Sequence, residues 1–125
     1  MAETEHFSTR ELACRCCGRS GMDRAFLDRL ERLRVTYGKP MVLTSAYRCS
    51  EHDGEVGGSG RHVTGRAVDV LVSGADAFAL LALALGEGFI CIGVSQRGAL
   101  GGRFLHLDDL TAMDGFPSPR VWSYP

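Results

Sequence analysis

The chain has 125 residues, 14 basic and 15 acidic, for a formal net charge of −1. That length fits one domain over residues 1–125 with a single core, so folding requires neither disulfide staples nor association, and a monomer is expected. The balanced charge gives no field to attract nucleic acid or an anionic membrane, and the most apolar stretch, ADAFALLALALG, falls short of the roughly twenty residues that span a bilayer.

The opening MAETEHFSTREL is acidic and lacks the apolar segment of a secretory signal, so a soluble product made in the cytoplasm is expected. Within it, Ser8 and Glu11 have the form of a capping box that starts a short helix, with Phe7 as its staple. Cys14, Cys16, Cys17, Cys49 and Cys91 are an odd set that favours reduced thiols over a disulfide framework. The CRCC cluster could hold a structural zinc, but no second pair follows it; the plainer reading is a tight turn with small, partly buried thiols.

Phe26, Leu30, Leu33 and Tyr37 recur at helical spacing, Asp23 caps the start, and Gly38 and Pro40 end the helix. MVLTSAYR, 41–48, reads as a strand with a polar end, and CSEHDGEVGGSG as a helical turn followed by a glycine-rich loop. RAVDVLV, 66–72, is a strand and GADAFALLALALGEG a helix that is apolar on most sides. FICIGV and RFLHLD are two further strands around the glycine-rich SQRGALGG, and the tail DGFPSPRVWSYP reads as loop anchored by Trp122. Without strict alternation of strand and helix, and with a hairpin near the end, the pattern predicts an α+β fold: a small, mainly antiparallel sheet with helices packed on it.

Asp69 interrupts an apolar strand on the same face as Ala67 and Leu71. A carboxylate buried there costs several kcal/mol unless it is paired or ligated, and Arg66 and His62 are its nearest partners in sequence. On the last strand, period two aligns Phe104, His106 and Asp108. If the two strands are neighbours, His62, Asp69 and His106 converge as two imidazoles and a carboxylate, a set that leaves a metal one open position. The competing reading is a hydrogen-bonded histidine and an aspartate paired with Arg66 or Arg48.

SAYRCSEHDGEVGG, HVTGRAVD and FLHLD together resemble the zinc D-Ala-D-Ala carboxypeptidase and L-alanyl-D-glutamate endopeptidase family of peptidoglycan peptidases, which has the hedgehog/DD-peptidase fold. FSTRELACRCCG and PRVWSY extend the resemblance over nearly the whole chain. It implies Zn2+ held by His62, Asp69 and His106, with Arg48 binding the substrate carboxylate or the polarised carbonyl, and Tyr47 and Ser59 in substrate binding. A guanidinium suits that task, since it offers a bidentate fork and stabilises an oxyanion. The implied substrate is a peptidoglycan stem peptide cleaved at a bond involving a D-amino acid, in carboxypeptidase or endopeptidase mode. The lack of an export signal suits a phage-type lysin, or a tail-associated part, that reaches the cell wall once released or delivered.

The chain departs from the family pattern in four places. Ala46 replaces a glycine, Asp53 stands where many members have asparagine, and Gly60 takes the place of a serine, leaving Ser59 one step further from His62. Arg103 occupies the position three before the last histidine, where several relatives have an acid. Asp108 is then the expected general base, because it shares a face with His106; the alternative is that it orients His106. His52 is a weaker site candidate, and His6 is assigned to the surface. Two rival functions are a non-catalytic zinc-containing binding module of the same fold, and a redox or structural-zinc protein organised by Cys14, Cys16 and Cys17.

Overall fold

The computed structural model describes residues 4–125, so the first three residues of the expected domain lie outside it. α1 (Thr9–Leu12) carries the expected capping box: Ser8 Oγ accepts from the Glu11 amide, and the Glu11 carboxylate accepts from the Ser8 amide. α2 (Arg24–Tyr37) begins at Asp23, whose carboxylate accepts from the Phe26 amide, and ends at Gly38 in the left-handed conformation. Its inner stripe of Phe26, Leu27, Leu30 and Leu33 is fully buried, which at about 1.5–3 kcal/mol per side chain is a major source of stability.

Five strands form one open sheet in the order β1 (Val42–Ser45), β2 (Ala67–Leu71), β4 (Phe104–Asp108), β3 (Cys91–Ser95), β5 (Arg120–Ser123). Neighbours are antiparallel except β3 and β5, which are parallel. With α3 (Ser50–Glu55) and α4 (Gly74–Glu87), this is the predicted α+β architecture. No helix among the described residues is long and apolar enough to cross a membrane.

Two segments differ from expectation. The strand predicted over 41–48 stops at Ser45, where β1 slips register against β2 between Leu43 and Ser45. Residues 46–49 leave the sheet as a loop, tied by the Tyr47 amide to Leu12 O (3.3 Å) and by the Arg48 amide to His62 O (3.3 Å). The tail predicted to be loop contains β5. Its flanking Pro117 and Pro119 disguise it, because proline is compatible with a strand only where ladder donors are not needed, as at this sheet edge.

The strands present two different faces. Val68, Val70, Ile92, Leu105 and Leu107 join the core formed with α2 and α4. By strand alternation, Ala67, Asp69 and Leu71 of β2 and Phe104, His106 and Asp108 of β4 face the other way. The register sets Asp69 directly opposite His106 and Ala67 opposite Asp108. Polar groups therefore gather on the side of the sheet away from the helical core.

Candidate metal centre and the cavity above it

His62, Asp69 and His106 come together as predicted, each buried, with one donor atom apiece lying within 4.8 Å of the others. His62 reaches the group from the turn before β2, where its Nδ1 donates to Ala46 O at 2.7 Å. That bond leaves Nε2 directed at Asp69 Oδ1, 3.4 Å away. His106 presents Nδ1 to the same oxygen at 3.1 Å, and its other nitrogen, Nε2, lies 2.6 Å from Asp108 Oδ2. Both rings are thus fixed by a bond on the nitrogen that faces away from the group, the arrangement that selects tautomer and orientation in metal-binding histidines.

The electrostatics agree with a cation site. Burial works against the charge of Asp69, yet hydrogen bonds from His106 and His62 hold its carboxyl well below the usual range. Burial likewise works against charge on His106, but Asp108 and Asp69 outweigh it and raise its pKa. In both residues the environment favours charge separation over neutrality, which a divalent ion would satisfy more fully. Two imidazoles and one carboxylate with an open side suit zinc.

Above this group lies a cavity of about 290 Å³ lined by Arg48, Ser59, Arg61, His62, Asp69 and His106, with an aromatic wall that includes Phe104, Trp122 and Tyr124. Arg48 lines this cavity and is held by three side chains. Its Nε donates to Ser45 Oγ (3.0 Å), its Nη1 to Asp53 (3.0 Å) and its Nη2 to Asp69 (3.4 Å). The glycine-rich loop wraps the Asp53 carboxylate, which also accepts from the Gly60 amide at 3.0 Å. A Cβ on Gly58 would sit 2.0 Å from Asp53 Oδ1, so a side chain there would push the carboxylate out of its place. Ser59 is exposed on the cavity rim.

Other expectations require correction. Tyr47 is not among the cavity-lining residues; its ring packs against Gly21, where an added Cβ would come within 2.5 Å. Arg66 does not serve Asp69, because it pairs with Asp109 (2.9 Å) and Asp114 (3.2 Å). Asp108 shares the face of His106, but it is fully buried and absent from the cavity lining. Arg61 Nη1 donates to both its oxygens (3.1 and 3.0 Å), and the Leu110 amide donates to Oδ1 at 3.1 Å. The carboxylate is thus enclosed, on the His106 nitrogen away from Asp69, and it does not border the cavity. It holds the ring instead.

Three further residues meet at the site: Arg61 and Tyr124, which were not among the expected site residues, and Trp122, expected only to anchor the tail. Trp122 lies against His106, with centroids 4.9 Å apart, and Arg61 stacks on Trp122 at 5.0 Å while donating to Pro117 O at 2.9 Å. Gly93 makes that stack possible: it faces both His106 and Trp122 in register, and a Cβ there would meet the indole at 2.8 Å. The available signal was the alternation of Arg120, Trp122 and Tyr124 in RVWSY, which places three cavity residues on one face of a strand.

A buried histidine pair and aspartate on a sheet, open to a cavity with a fixed arginine, define a candidate metallohydrolase site. The family profile described as Peptidase M15 matches residues 5–108, and the chain belongs to that family. Membership suggests a metallopeptidase, and zinc is typical of the family. No curated protein matches the chain.

Proposed function

We propose that this chain is a zinc-dependent peptidase that hydrolyses a bond involving a D-amino acid in peptidoglycan stem peptides, which places its action at the cell wall. The observation that carries the reading is the convergence of His62 Nε2, Asp69 Oδ1 and His106 Nδ1 beneath a cavity that holds Arg48, in a Peptidase M15 chain. His62, Asp69 and His106 would hold the ion, which when bound supplies Lewis-acid chemistry, lowering the pKa of water and polarising a carbonyl.

The remaining work falls to the chain's own groups. Arg48, held by Ser45 and Asp53, binds the substrate carboxylate or the developing oxyanion through its guanidinium. The Ser59 hydroxyl is available at the rim for the peptide backbone. Phe104, Trp122 and Tyr124 exclude water on one side and offer an apolar surface to the stem peptide. Asp108, backed by Arg61, is a positioning residue for His106.

A second reading, a binding module without turnover, is favoured by one feature: Asp69 is the sole carboxylate among the cavity-lining residues. Incubating the zinc-loaded protein with purified muropeptides and reading new termini by mass spectrometry separates the two. Cleavage abolished by chelation and by Arg48→Ala supports the peptidase. Binding of muropeptides without cleavage supports the module.

A further inference from the structure

Beside the loop that carries Arg48, four of the five cysteines gather. Cys14, Cys16 and Cys17 follow α1, and Cys49 arrives from the loop after β1; one sulfur from each lies within 4.8 Å of the others. Cys16 Sγ is 3.7 Å from Cys14 Sγ and 3.4 Å from Cys49 Sγ. A disulfide needs about 2.05 Å, whereas a tetrahedron with Zn–S bonds of about 2.3 Å has sulfurs about 3.8 Å apart. The thiols are free, and their spacing is close to that of a tetrathiolate.

The surrounding backbone is built around these sulfurs. The Cys14 amide donates to Arg19 O and the Gly18 amide to Cys14 O, both at 2.9 Å, closing a tight loop with Gly18 at φ 74°. Cys14 and Cys17 bracket two residues, so a C-x2-C pair followed by glycine lies within CRCC. The Cys49 amide donates to Cys14 Sγ and the His52 amide to Cys49 Sγ, each at 3.4 Å. Amide donors on sulfur stabilise thiolates, the form that binds metal.

We propose that Cys14, Cys16, Cys17 and Cys49 bind a structural zinc ion, separate from the His62–Asp69–His106 group. Binding releases the thiol protons to solvent and involves no change of oxidation state. The ion joins the turn after α1 to the residue that follows Arg48 in the chain. Cys49 is also the N-cap of α3, which carries Asp53, a partner of Arg48. The site therefore acts as a clamp on the loop that supplies the cavity's arginine. It does not depend on the peptidase reading.

The test is cobalt(II) loading of the full chain, purified under reducing conditions, beside Cys16→Ser/Cys17→Ser. Both substituted positions are exposed, so the core is untouched. The expected result is an intense thiolate-to-cobalt charge-transfer band in the wild type, absent from the double variant, with one zinc fewer per chain by elemental analysis. Should the variant lose its native circular dichroism, alkylation of the wild type decides: Cys16 and Cys17 protected until chelator is added supports the site, and equal labelling with and without chelator overturns it. A wild type without the charge-transfer band, unchanged metal content in a folded variant, or a Cys16–Cys49 disulfide in the purified protein would each overturn it as well.

Discussion

Replacing Arg61 with alanine removes the guanidinium that holds Asp108 behind His106. Arg61 is 3% exposed and Asp108 0%, so the pair is screened from water. Breaking such a pair by deleting one partner costs about 3–5 kcal/mol, because the other charge stays buried. Asp108 keeps the His106 ring and the Leu110 amide, which places the cost near the lower end, about 3 kcal/mol. For a chain of this size that corresponds to a fall in melting temperature of roughly 10–15 °C. Urea unfolding with thermal melts measures it, and Lys39→Ala is the control: its pair with Asp76 is more than half exposed on both sides, where solvent screening leaves an ion pair with little effect on stability. If Arg61→Ala is no more destabilised than the control, the buried pair does not support the site as argued.

Two further outcomes are expected. Gly93→Ala drives a methyl into the indole of Trp122 and should cost about 1–3 kcal/mol; because the chain has one tryptophan, displacement from His106 is read directly by fluorescence, and an unchanged spectrum and stability would refute the stacking argument. Metal affinity at the His62–Asp69–His106 group should rise with pH. The raised pKa of His106 means the metal-free site keeps its proton, and the stability that proton contributes is complete below the ordinary histidine value and lost as pH climbs through the raised one. Zinc must displace it, so affinity followed through Trp122 fluorescence should increase about tenfold per pH unit until that value is passed; a flat profile from roughly pH 5.5 to 7.5, the usual histidine range, would contradict the assignment.

The parts of the site that were legible in the sequence are those governed by local periodicity. Alternation along RAVDVLV and RFLHLD placed Asp69 and His106 on the faces they occupy, and the strands proved to be neighbours. Alternation also put Asp108 beside His106, but a strand period specifies a face and not what covers it. The cover is Arg61, 47 positions away, and it turns an expected base into a support for the ring. The same limit hid the fourth cysteine: CRCC has no second pair nearby, and Cys49 joins it only through the fold. β5 was missed for a different reason, since prolines mask a short edge strand whose Trp122 faces the cavity and whose Val121 is exposed, so neither joins the core.

The central claim is a metal held by His62, Asp69 and His106. Its most direct test is zinc content by mass spectrometry on protein purified without chelator, in the Cys16→Ser/Cys17→Ser background, beside the same chain carrying His106→Ala. About one zinc per chain, lost on His106→Ala, is the predicted result. No zinc in either, with Asp69 simply paired to Arg48, would contradict the account.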